Sequence, residues 1–109
     1  MSARYLLRRS AAQFYWILYA ENNEPILNSE MYTAKASALA GIASARINAQ
    51  IDARYDRRVS TASQPYFVLR AANGEVIGTS EMYSSVAARD NGIAAVKRDG
   101  PGAPLVDQV

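Results

Sequence analysis

Ser29-Glu30-Met31-Tyr32 recurs in this chain as Ser80-Glu81-Met82-Tyr83. Each copy sets a carboxylate two residues from a phenol, the residue types of an acceptor–donor pair. The remaining chemical inventory is narrow. There is no His and no Cys, which removes most nucleophile–base pairs, nearly all zinc sites and any disulfide framework. Acid–base work would fall to Asp, Glu, Lys or Tyr. The stretch ANGEVIG has two glycines at the wrong spacing for a phosphate loop. No catalytic residue, no cofactor and no metal site is expected.

The repeated tetrapeptide has two readings. In the first it is a joint between a strand and a helix. Ser bonds backbone groups, Met and Tyr wedge under the helix, and Glu meets a basic neighbour. In the second it is a paired site, with Glu30 and Glu81 as carboxylates and Tyr32 and Tyr83 as donors. A joint recurs whenever its unit recurs, and duplication alone does not bring Glu30 to Glu81. The joint is the reading adopted.

The unit itself is visible. With Ser29 aligned to Ser80, 15 of the 34 positions in 13–46 and 64–97 are identical. Upstream, Ala3-Arg4-Tyr5 matches Ala53-Arg54-Tyr55. The chain reads as a tandem duplication, repeat one over 1–50 and repeat two over 51–109. One such unit buries too little surface to stand alone. A single domain over 1–109, pseudo-twofold symmetric and monomeric, is expected.

FYWILYA (14–20) and PYFVLRA (65–71) alternate as strands. One face carries Phe14, Trp16, Leu18 and Ala20, matched by Phe67, Leu69 and Ala71. It varies only among apolar types and is assigned to the core. The other carries Tyr15, Ile17 and Tyr19, matched by Tyr66, Val68 and Arg70, with Leu27 and Gly78 added from the next strand. ENNE and ANGE read as hairpin turns with Asn23 and Gly74 in the left-handed region. That register pairs Leu69 with Ile77 and sends Ile26 and Ile77 inward. RYLLRR and RYDRRV supply one further strand per repeat. After each SEMY the period becomes helical. The expected stripes are Ala36, Leu39, Ile42, Ala43 and Ile47, and Val86, Ala87, Ile93, Ala94 and Val96. Thr33 and Ser84 are the expected N-caps. Gly41 and Gly92, recurring mid-helix, imply close backbone approach.

Phe14, Trp16, Leu18 and Ala20, then Asn73-Gly74-Glu75 with Ile77, then Ser80-Glu81 with Tyr83, then Gly92-Ile93 with Val96, form a pattern that resembles the YegP-like family of small bacterial proteins. The resemblance covers both repeats. It implies an α+β fold in which two β-β-β-α units form one antiparallel sheet with two helices on one face. It also implies a short strand exchanged after each helix. It carries over no catalytic residue.

Half of the residues are hydrophobic, a fifth are charged, and the formal net charge is +2. So small an excess does not by itself imply nucleic acid. No apolar run approaches the roughly 20 residues that span a bilayer. MSARYLLRRS lacks the apolar core of a secretory leader, so a cytoplasmic protein without a membrane role is expected. Three function classes remain. The leading one is a non-enzymatic interaction domain that uses Tyr15, Ile17, Tyr19, Tyr66, Val68 and Arg70 as a face for a protein partner. The alternative is single-stranded nucleic-acid binding, with Tyr stacking on bases and Arg70, Arg8-Arg9 and Arg57-Arg58 holding phosphates. An enzyme would need a constellation that the chain does not display. The tail DGPGAPLVDQV is either a frayed end or a short docked strand.

Overall fold

The computed structural model describes residues 2–109. The elements run β1 (Arg4–Ser10), β2 (Gln13–Tyr19), β3 (Pro25–Ser29), α1 (Lys35–Asn48), a 3-10 turn (Asp52–Arg54), β4 (Tyr55–Val59), β5 (Pro65–Arg70), β6 (Val76–Thr79), α2 (Val86–Asp99) and β7 (Leu105–Asp107). The fold is α+β: two helices on one face of a seven-stranded sheet ordered β4-β5-β6-β3-β2-β1-β7.

The sheet is mixed rather than purely antiparallel. Six strands pair antiparallel, but β7 joins β1 in parallel. The tail therefore docks. A turn at Pro101-Gly102 takes the chain out of α2, and Tyr5 N donates to Pro104 O at 2.8 Å where β7 begins beside β1. Among the described residues no extra short strand lies between α1 and β4. The 3-10 turn leads straight into β4.

The core face of the central strands is as expected. Trp16, Leu18, Ala20, Phe67 and Leu69 are buried together beneath the helices, with Tyr5, Leu7 and Tyr55 from the flanking strands. The hairpin turns also form as expected, with Asn23 at φ 68° and Gly74 at φ 87°. The pairing beyond them differs. Leu69 faces Gly78 and Arg70 faces Val76, leaving Ile77 as the extra residue of a bulge. The same bulge follows Leu18, so Leu18 faces Leu27. An inserted residue re-aims the strand. It puts both Ile26 and Leu27 in the core, and Leu27, expected on the outer face, is fully buried.

The helices are rotated from their expected stripes. α1 buries Ala38, Ile42, Ala45 and Asn48, and α2 buries Gly92, Ile93, Val96 and Asp99. Leu39, Ile47 and Val86 are exposed, Ile47 at 71 %. The cause is the floor beneath. A Cβ on Gly41 would land on the Tyr32 hydroxyl, and one on Gly92 on that of Tyr83. The helices press small residues against these rings, which leaves no room for Leu39. The caps fall one residue later than expected. Ser85 Oγ accepts from Ala88 N at 3.0 Å, whereas Ala34 caps α1 without a side-chain bond.

Tyrosines lock the helix ends. Tyr5 donates to Gly100 O at 2.7 Å and Tyr55 to Ala49 O at 2.6 Å. Each strand tyrosine thus satisfies an orphan carbonyl at the end of a helix from the other part of the chain. Arg46 lies over the Tyr5 ring and Lys97 over the Tyr55 ring, at 5.3 and 5.5 Å.

Candidate functional site

SEMY sits where each strand hands over to a helix, and its serines and tyrosines behave as a joint. Ser29 Oγ accepts from Trp16 N at 2.8 Å and donates to Glu30 O at 2.8 Å. Ser80 Oγ accepts from Phe67 N at 2.9 Å and donates to Glu81 O at 2.8 Å. These bonds close the gap left where the ladder ends. Tyr32 and Tyr83 then turn under α1 and α2 onto Gly41 and Gly92. Burial pushes both phenols above their ordinary pKa.

The other two residues depart from the joint reading. Met31 and Met82 point outward, 47 % and 45 % exposed. Glu30 and Glu81 meet no Lys or Arg within ion-pair distance among the described residues. Glu81 instead accepts from Asn28 Nδ2 at 2.8 Å. In the described residues all five aspartates are ion-paired and none of the five glutamates is.

Tyr15, Ile17, Tyr19, Tyr66, Val68 and Arg70 all lie on the sheet face opposite the helices. Their pairing sets the order of the surface. Arg8 faces Tyr15, Leu6 faces Ile17 and Arg4 faces Tyr19. Arg58 faces Tyr66 and Asp56 faces Val68. Long neighbours close over the small apolar centre: Val68 is 7 % exposed and Leu6 8 %. Tyr15, Ile17, Tyr19, Tyr66 and Arg70 are half-buried. Arg70 binds Asp56, which also pairs with Arg58, and Arg4 stacks over Tyr19 at 4.6 Å. The face is a polar–aromatic surface with a small apolar middle.

Sequence reasoning does not anticipate two clefts on the helix side. One, of about 360 Å³, lies between the β2–β3 hairpin and α2 and is lined by Ala20, Glu24, Ile26, Tyr83 and Gly92 among others. The second, of about 230 Å³, lies between the β5–β6 hairpin and α1 and is lined by Ala71, Glu75, Ile77, Tyr32 and Gly41 among others. Those five positions are 51 apart from cleft to cleft and identical in kind. The sequence carries a signal of this in the identity of the two copies, but nothing in it shows that each hairpin meets the other copy's helix.

No helix among the described residues is long and apolar enough to cross a membrane. The family model described as Domain of unknown function (DUF1508) matches the chain twice, over residues 10–56 and 60–107. A UPF0339 protein of Bordetella pertussis is 54 % identical over 108 residues, covering 99 % of this chain and 97 % of its own. The UPF0339 protein YegP of Escherichia coli O157:H7 is 44 % identical over 102 residues, covering 94 % and 93 %. Two solution NMR structures share the fold. A UPF0339 protein from Shewanella oneidensis superposes with a TM-score of 0.91 at 49 % identity, covering 98 % of this chain and 92 % of its own. YegP from E. coli does so with 0.92 at 41 % identity, covering 99 % and 94 %. With a family model matched over both halves and relatives this similar along nearly their whole length, the chain belongs to the UPF0339 (YegP-like, DUF1508) family, whose function is described as unknown.

Proposed function

We propose that this protein is a non-enzymatic interaction domain that meets a protein partner through the helix-free face of its sheet. The observation that carries the reading is the placement of Tyr15, Ile17, Tyr19, Tyr66 and Arg70 on one face, with both helices on the other. Tyrosine and arginine are the residue types that dominate binding energy at interfaces. Their stems here surround a small apolar middle. The protein acts in the cytoplasm as a monomer of one domain, residues 1–109, built from two β-β-β-α units over 1–50 and 51–109. The pairing of Asn28 with Thr79 supports a pseudo-twofold relation, since those residues are 51 apart and sit opposite each other where β3 meets β6.

A second reading, single-stranded nucleic-acid binding, is favoured by the repeated cross-strand pairs Arg8–Tyr15 and Arg58–Tyr66. Each would offer a stacking ring beside a phosphate contact. Asp56 and the net charge of only +2 weigh against it.

Tyr15→Ser/Tyr66→Ser protein tests both. Cross-linked complexes recovered with the parent protein should be lost with the variant while the melting curve is retained. Titration of a labelled single-stranded oligonucleotide across a salt series separates the readings. Salt-sensitive saturation by the parent favours nucleic acid. Complexes that persist unchanged in the variant would refute the face altogether.

A further inference from the structure

The two clefts are built the same way. Each takes a tyrosine, a glycine and a run of small residues from one helix segment, and an Ala, a Glu and an Ile from the opposite hairpin. In the larger cleft, Tyr83 and Gly92 with Ala88 and Ala95 face Ala20, Glu24 and Ile26. In the smaller, Tyr32 and Gly41 with Ser37 and Ser44 face Ala71, Glu75 and Ile77. The charge is one-sided. Among the described residues Glu75 is the only charged group lining the smaller cleft. In the larger, Glu24 is joined by Arg98, whose guanidinium is already held by Asp99 through bonds of 3.0 and 2.9 Å.

A further group lies behind the smaller cleft. The Trp16 indole is fully buried, and the Tyr32 hydroxyl is the acceptor that its Nε1–H approaches. Its Nε1 lies 3.1 Å from where a Cβ on Gly41 would be, behind the Tyr32 ring that lines the cleft.

We propose that the two clefts are equivalent binding sites for a small organic cation, a primary ammonium on an aliphatic stem. The carboxylates take the ammonium, and the Ala and Ile side chains cover the stem. An anion is disfavoured by the glutamates. A metal ion is ill served, because among the described residues no group of three or more His, Cys, Asp or Glu converges anywhere. The ammonium can come from a free diamine or from a lysine side chain, and both present the same head and stem. This inference stands on the helix side of the molecule and is independent of the sheet face.

The test is a titration of the full chain, ¹⁵N-labelled, with 1,5-diaminopentane, and in parallel with Nα-acetyl-lysine amide. Saturable shifts are expected at Glu24, Gly92 and Ala95 for one site and at Gly41, Glu75 and Ile77 for the other. Trp16 fluorescence should report the second site alone. Glu24→Gln should weaken the first site about tenfold and spare the second, and Glu75→Gln the reverse, as loss of one charge-assisted contact implies. Both glutamates are exposed, so the variants should fold. Saturation by either probe supports the proposal, and the tighter one identifies the source. It is overturned if neither probe saturates those amides, if the Gln variants bind as the parent does, or if 1-pentanol binds equally well.

Discussion

The two edges of the sheet solve the same problem differently. β1 and β4 begin alike, Ala3-Arg4-Tyr5 against Ala53-Arg54-Tyr55, yet β1 is covered and β4 is not. β7 lies along β1, with Lys35 reaching Asp107 at 2.7 Å. On the β4 side the residue 51 after Lys35 is Val86, and among the described residues no strand pairs with the outer edge of β4. β4 instead carries Asp56, Arg57 and Arg58, tied to Arg70 and Asp52. An uncovered edge invites pairing with another chain, and charge discourages it. The same contrast runs inward. Trp16 stands where Phe67 stands, and Leu27 where Gly78 does. A Cβ on Gly78 would come 2.9 Å from the Leu27 side chain and 2.9 Å from Asn28 O. Near the seam there is room for one leucine, not two. Copies of a unit that share a core need not stay identical, and at the seam they cannot.

The largest effect should come from cutting the copies apart. Residues 1–50 alone lose the acceptor of Tyr5, which is Gly100 O, and the β3–β6 seam. They should be unfolded or should dimerise, as read by circular dichroism and size-exclusion chromatography. A cooperatively folding monomeric half would mean that the halves are neighbours rather than one core.

Next comes the contrast between the two faces of β2. Trp16→Ser should cost roughly 3–5 kcal/mol, the range for emptying a large buried site. Tyr15→Ser/Tyr19→Ser on the opposite face should cost less than about 1 kcal/mol in denaturant melts, as surface changes do. A reversed order would put the core on the wrong side of the sheet.

This face assignment is legible in the sequence, because alternation of apolar types along FYWILYA and PYFVLRA is a direct image of the pleat. The recurrence of Ile26 and Ile77 rightly sends both inward, but simple alternation gives them the wrong partners. A bulge adds a residue without leaving a mark in composition, so Leu27 cannot be assigned by alternation. The helix faces mislead because Leu39 and Ile47 look like core residues. The rings of Tyr32 and Tyr83, which decide where the helices sit, are contributed from outside the helical period. Three residues of β7 hold too little pattern to declare a parallel strand. The clefts depend on which hairpin meets which helix, and that is topology.

Smaller effects should follow at the helix glycines. Gly92→Leu and Gly41→Leu each drive a side chain into a tyrosine ring, and overpacking typically costs about 1–3 kcal/mol. Gly92 is buried and Gly41 only half-buried, so Gly92→Leu should be the worse. Thermal melts settle the order. A variant that melts higher than the parent would show that its glycine has space in front of it.

The smallest effect tests whether the two copies still do one thing identically. Tyr5→Phe and Tyr55→Phe each remove a hydroxyl that donates to a helix-end carbonyl, Gly100 O or Ala49 O. Each should cost about 1 kcal/mol near neutral pH, the usual net worth of such a bond. Alkali adds a second reading. Burial raises both phenols above their ordinary pKa of 10.0. The folded protein therefore keeps these protons at a pH where the unfolded chain has begun to release them. Above about pH 10 the unfolded state binds fewer protons, so stability falls as pH rises. Below that pH the contribution is fully present. Each Phe variant removes one such group, so its stability should fall less steeply between pH 10 and about 11 than the parent's, and the two curves should approach one another. Urea melts at a series of pH values measure this directly. If Tyr5→Phe flattens the curve and Tyr55→Phe does not, the phenols are not equivalently buried, and the difference between the copies extends from the edges and the seam to the locks on the helix ends.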